Sequence, residues 1–182
     1  RENAGYVYDK CGEMLKSGEF SAVSILKKFN IEYQSPIAEI FDDLSVFSKE
    51  NTAPSLRGDN LLSPSEELLD TLNAETGIAP VDTDSYIRAI SLMLDRFSAA
   101  GCRFADHSLD SGFFTNDHDG KRGEVLKRLG IEYAKRKWTL LLHIGAKRQT
   151  SRRLATLAGP AGGYAAVGNF ETEALCDLLC RM

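Results

Sequence analysis

Trp138-Thr139-Leu140-Leu141-Leu142-His143-Ile144-Gly145-Ala146-Lys147-Arg148 is an apolar run that stops at a histidine and then two cations. Across residues 138–142 the hydrophobicity is nearly unbroken. That suits a strand covered on both faces, as in a parallel sheet, better than a half-exposed one. Where strands and helices alternate, ligands gather at the carboxyl ends of the strands, because the loops there hold side chains over the sheet's opening. His143 stands at such an end.

The segments around this strand repeat one order, helix then strand, four times. Residues 6–16 and 21–29 read as two short helices broken at Gly18, with Ser21 as an N-cap and Asn30 as a left-handed end. Residues 31–34 are a short candidate strand, and 36–47 a helix with Pro36 in its first turn. Residues 52–56 form a weak strand, since Pro54 cannot donate to a ladder. Ser63, Pro64, Glu66 and Glu67 start a helix over 64–72. The strongest helix, 84–99, carries Tyr86, Ile87, Ile90, Leu92, Met93, Leu94 and Phe97 on one wide face and is capped by Gly101.

A strand over 102–105 then runs into the polar Asp106-His107-Ser108-Leu109-Asp110, and a surface turn over 115–120 leads to a basic helix over 121–137. Gly130 weakens that helix by about 1 kcal/mol relative to alanine. After the His143 strand comes a Gly/Ala-rich loop, and Asn169 caps a final helix over 170–181. Every strand ends in polar residues: Gln34 and Ser35, Arg57, Asp106 and His107, His143 and Arg148. This is the grammar of β/α units, so the expected fold class is α/β with a parallel sheet.

A chain of 182 residues can bury a sizeable core, and 43% hydrophobic with 26% charged residues argues against disorder. No run approaches the roughly 18 apolar residues of a spanning helix, and no charged-then-apolar leader opens the sequence. A cytoplasmic location and no membrane partner are therefore expected. Cys11, Cys102, Cys176 and Cys180 contain no CxxC pair and are expected as reduced core thiols. Cys176 and Cys180, four residues apart among leucines, favour packing over a metal pair. The first residue is Arg1, which points to an excised domain or a chain with further ends.

Several motifs have plain readings. Asp106, His107 and Ser108 are the residue types of a hydrolytic triad, but three consecutive residues cannot all face one another, so a serine hydrolase is disfavoured. The pair Asp106 and His107 can instead orient a ligand hydroxyl or shuttle a proton, because imidazole titrates near neutrality. A solvated turn histidine is the equal alternative. Thr115 to Gly120 resembles a calcium loop, but Thr115 and Leu126 fall where the opening acid and closing glutamate belong.

Residues 121–153 hold eleven of the 22 Lys and Arg residues against two acids, Glu124 and Glu132. Nucleic-acid binding is disfavoured by the net charge of −4 and by the lack of interleaved aromatics. A small carboxylate or phosphate held by Arg57 and Arg148 suits the planar guanidinium better. Gly159-Pro-Ala-Gly-Gly163 lacks a dinucleotide or P-loop signature.

Three stretches carry a family resemblance. Gly101-Cys-Arg-Phe-Ala-Asp106-His107-Ser-Leu-Asp110, the Trp138…His143-Ile144-Gly145-Ala146…Arg148 run with Leu157-Ala-Gly159-Pro160 after it, and Pro54-Ser55-Leu56-Arg57-Gly58-Asp59 are similar, in order and spacing, to motifs of the uronate isomerase family, amidohydrolase-like (β/α)8 barrel proteins. The resemblance covers nearly the whole chain. It implies a partial TIM-type barrel of about four βα units with extra helices at the N-terminus: a helical segment over 1–30 and a partial barrel over 31–182, together one structural unit.

The implied activity is aldose-ketose isomerisation of hexuronates, glucuronate to fructuronate and galacturonate to tagaturonate, in a full-length parent. The implied partner is a small hexuronate. Asp106, His107 and His143 are the implied catalytic residues, with Arg57 and Arg148 holding substrate. A divalent metal, zinc or manganese, is implied for a complete family member, where an HxH pair and a late aspartate hold it. This chain's histidines are only His107, His118 and His143, so no metal ligand is expected in it. The chain reads as an internal fragment spanning roughly barrel strands two to five, inactive alone. A degenerate, non-catalytic domain that binds sugar acids is the other expectation, and exposed sheet edges make a homo-oligomer plausible.

Overall fold

In a computed structural model, which describes residues 3–47, 51–110, 112–163 and 165–182, four strands lie side by side in chain order and run parallel. They are β1 (Ile37–Ala38), β2 (Ser55–Arg57), β3 (Phe104–Asp110) and β4 (Thr139–Arg148); β5 (Ala165–Val167) returns antiparallel along the last residues of β4. Helices α3 (Glu66–Thr76) and α4 (Thr83–Ala99) connect β2 to β3, and α5 (Lys121–Lys135) connects β3 to β4. Two further helices, α6 (Arg152–Ala158) and α7 (Thr172–Cys180), flank β5. The N-terminal helices, α1 (Ala4–Lys16) and α2 (Ala22–Lys28), form a separate compact unit that reaches to Gln34. Within it Ser21 caps α2 by accepting the Ser24 N–H at 3.2 Å, and Asn30 is left-handed at φ 51°.

Register decides which residues meet. β3 pairs with β4 so that Ala105 lies beside Leu140, His107 beside Leu142 and Leu109 beside Ile144. Paired residues of a parallel ladder share a face. This face packs on Ile90, Leu94 and Phe97 of α4 and Leu126, Leu129 and Tyr133 of α5, all buried in one core. The other face carries Arg57 beside Asp106, Asp106 beside Leu141, and Ser108 beside His143. The crossover helices therefore cover one side of the sheet, and its opposite side presents the polar strand ends.

The local signals explain the helices well. Asp82 and Ser85 form a reciprocal capping box at the start of α4, and Ser65 accepts the Leu68 N–H to open α3. Gly77 ends α3 in the left-handed conformation at φ 70°.

Several expectations are corrected. Residues 31–34 form no strand, and 36–47 form β1 and a short 3₁₀ turn instead of a helix, because the Pro36 carbonyl accepts the Ser55 N–H at 2.8 Å and draws the chain into the sheet. β3 runs on through Asp110, so Asp106, His107 and Ser108 lie within the strand and not in a loop after it. β4 also continues past His143, because β5 pairs with its last residues. One face of β4 is open, with Thr139, Leu141 and His143 exposed, so it is not covered on both sides. The Gly/Ala-rich stretch contains α6 and β5, and the final helix opens at Glu171, two residues beyond Asn169. Just before the turn over 115–120, Phe113 and Phe114 are buried. Only Cys102 is a buried thiol; Cys11, Cys176 and Cys180 are exposed.

One polar network braces α4 to α5. The Glu132 carboxylate, 8% exposed, accepts from Ser91 at 2.8 Å, Lys135 at 2.5 Å and Arg136 at 2.8 Å, and Arg136 also reaches Asp95 at 2.6 Å. Burial alone would raise the Glu132 pKa. The donors outweigh it and hold the carboxyl down at about 2. A carboxyl depressed in the fold stabilises above its unfolded pKa, and that contribution fades as pH falls toward the folded value. Glu132→Gln is therefore expected to cost about 2 kcal/mol at pH 7. Denaturant titrations should show the gap from wild type closing between about pH 4.5 and about 2.

Candidate active-site cleft

The open sheet face ends in a cleft of about 650 Å³ lined by Ile37, Arg57, Asp59, Asp106, Ser108, Leu142, His143, Ile144, Ala146 and Arg148. Four of the five sequence-derived site residues meet here: Arg57 from β2, Asp106 from β3, and His143 and Arg148 from β4. The His143 side chain is 70% exposed, and its Nδ1 lies 2.6 Å from Asp106 Oδ1, a close contact without the alignment of a hydrogen bond. Such pairs are often poorly aligned in a ligand-free site and tighten on binding. His143 thus presents its other nitrogen, Nε2, as the freer edge of the ring.

His107 does not join them. Strand alternation turns it to the helix side, where it is 0% exposed. Its Nε2 lies 3.0 Å from the Tyr133 hydroxyl, and its ring presses on the Gly58 backbone so closely that a Cβ there would sit 2.2 Å from Cε1. Desolvation lowers the His107 pKa to about 4, against a smaller opposing pull from Asp59. The imidazole is neutral at physiological pH. Tyr133 stacks in turn on Trp138, with ring centroids 5.9 Å apart at 14°.

Asp59 is the site residue that the sequence reading left without a role. Its Oδ1 accepts the Ser108 N–H at 2.5 Å, and its Oδ2 accepts from Arg57 Nε at 3.3 Å. The available signal was its place two residues after Arg57 at a strand end. A second concavity of about 310 Å³ borders the far side of Arg57, lined in part by Glu39, Asn60, Ser65 and Thr71. It holds no acid/base pair of the Asp106 and His143 kind. Among the described residues, five of the eleven cations over 121–153 form ion pairs: Arg122 with Asp117, Lys127 with Glu124, Arg128 with Asp84, Lys135 with Glu132, and Arg136 with Asp95 and Glu132.

The cleft does not supply a metal-ligand set. Asp59 has both oxygens engaged, and Asp106 with His143 contributes a single pair beside two arginines. Among the described residues the one trio with ligand atoms within 4.8 Å of one another is His118, Asp119 and Asp177, outside the cleft, where Arg181 already bridges the two carboxylates.

The architecture has close counterparts among solved structures. The glucuronate isomerase from Caulobacter crescentus superposes with a TM-score of 0.80 at 17% identity, covering 100% of this chain and 45% of that one. The uronate isomerase from Thermotoga maritima does so with 0.79 at 18%, covering 98% and 47%. The fold is thus part of a TIM-barrel-like α/β architecture. A sequence profile described as glucuronate isomerase matches residues 1–128, and the chain belongs to that family. It is 30% identical over 217 aligned positions to the uronate isomerase of Salmonella arizonae and 25% identical over 203 to that of Caldanaerobacter subterraneus subsp. tengcongensis. It spans less than half the length of these relatives, 46% and 44%. Among the described residues no helix is long and apolar enough to cross a membrane.

A histidine whose folded pKa is depressed stabilises fully above its unfolded value near 6.5, and that contribution is lost as pH falls toward about 4. His107 is expected to keep neutral-imidazole carbon and proton shifts from pH 8 to 5 in an NMR titration. Gly58→Ala is expected to cost about 2 kcal/mol or more through overpacking, with a smaller penalty in a His107→Ala background. Thermal or denaturant unfolding of the four proteins checks this.

Proposed function

We propose that the native polypeptide carrying this chain isomerises hexuronates, converting D-glucuronate to D-fructuronate and D-galacturonate to D-tagaturonate, in the cytoplasm. The observation that carries this reading is the pairing of an imidazole-carboxylate couple with two cleft arginines, in a chain whose sequence matches the glucuronate isomerase profile. The reaction moves the C2 proton to C1 through an enediol while the carbonyl passes from C1 to C2. It needs a base that takes the C2 proton and returns it at C1, a group that shifts protons at the two oxygens, and a cation that fixes the distant carboxylate. His143, with Nδ1 against Asp106, is placed to exchange a proton through Nε2 at a substrate oxygen. Asp106 supports the charged form of the ring during that exchange.

Arg57 suits the C6 carboxylate, since its guanidinium fork matches two oxygens at once. Arg148, which makes no ion pair among the described residues, is the second cation. His107, sealed in the core and neutral, serves as a support under Gly58 and stays out of proton transfer. The family resemblance implies zinc or manganese for the complete protein. These cleft residues do not form its ligand set.

Incubated with D-glucuronate, the native polypeptide is expected to accumulate the ketouronate, followed by carbon NMR. Arg57→Met is expected to lower kcat/KM by about 30- to 100-fold, mainly through KM, from the loss of a charge-assisted contact. A folded native polypeptide that leaves both uronates unchanged overturns the reading.

A further inference from the structure

We propose that Asp59 is the positioning residue of this cleft, fixing the direction of the Arg57 guanidinium; the inference rests on the reading of Arg57 as the carboxylate binder. The ladder between β2 and β3 pairs Leu56 with Ala105 and Arg57 with Asp106, and β2 ends there. The Ser108 N–H, two residues further along β3, is left without a strand partner. A part-buried backbone donor needs one. Asp59 Oδ1 supplies it at 2.5 Å, while Gly58 N–H donates to the Asp106 carbonyl at 2.8 Å. The turn after β2 is thereby stapled to the strand that carries Asp106.

The second oxygen of Asp59 is then fixed in space, and it takes Arg57 Nε at 3.3 Å. This uses only one edge of the guanidinium. Its two terminal nitrogens make no hydrogen bond among the described residues, so the fork that suits a carboxylate stays available. A competitor stands on the other side: Glu39 Oε1 lies 4.0 Å from the same Nε, at the rim of the second concavity. Without the Asp59 charge, Arg57 falls to Glu39 and turns away from Asp106 and His143.

The substitution that isolates this role is Asp59→Asn, because its carbonyl oxygen still accepts the Ser108 N–H while the charge that draws Arg57 is gone. D-glucuronate is titrated into the full chain by calorimetry, with D-glucose as the neutral control. Asp59→Asn is expected to weaken glucuronate binding about tenfold, the equivalent of one charge-assisted contact. In an Arg57→Gln background it should add nothing further, since the group it positions is already gone. An equal cost in both backgrounds means a general structural role and overturns the proposal, as does unchanged affinity in the single variant.

The Arg57 side-chain Nε–H signal, assigned by its loss in Arg57→Lys, gives a reading that needs no ligand. It should be sharp and slowly exchanging in the wild type and averaged in Asp59→Asn. If the wild-type chain binds no glucuronate, the functional reading of Arg57 fails, and this signal alone decides the positioning role. Its persistence in Asp59→Asn overturns the proposal.

Discussion

The parallel pairing of β3 with β4 is the constraint on which the rest of the structure depends. Seven register pairs, from Phe104 with Thr139 to Asp110 with Ala146, fix which side of each strand meets the helices. A slip of one residue would send Asp106 and His143 into the apolar layer and lift Ala105 and Leu142 out of it. The apolar partners Leu109, Leu126, Leu129 and Phe97 forbid that exchange, since each is almost wholly buried. The chemistry of the open face is thus specified by the packing of the closed one.

Much of this was legible in the sequence where the signal is local. The helix around Tyr86 to Phe97 announces itself by a broad apolar face, and Ser21 and Asn30 mark helix ends through a side-chain hydrogen bond and a left-handed backbone. What escaped reading depends on distant partners. Pro36 looked like a helix start because its strand role comes from Ser55, nineteen positions away. β3 looked short because its outer half alternates polar Asp106 and Ser108 with a histidine that only Tyr133, on another element, makes comfortable inside.

The site divides along the same line. Arg57, Asp106, His143 and Arg148 were recognisable as strand-end residues, and the family motifs contain all four. His107 was grouped with them by adjacency, yet adjacency within a strand puts neighbours on opposite faces. Asp59 lay inside a recognised motif with no role attached, because its function is to satisfy a backbone N–H that exists only once two strands are paired.

The contact of Tyr133 with Trp138 has a practical consequence. Trp138 is the only tryptophan in the chain, and it lies against the phenol that meets His107, whose ring in turn supports Gly58 between Arg57 and Asp59. The chain therefore carries its single indole fluorophore at the foot of the column beneath its cleft. Its emission is a built-in optical gauge of whether that foundation is intact.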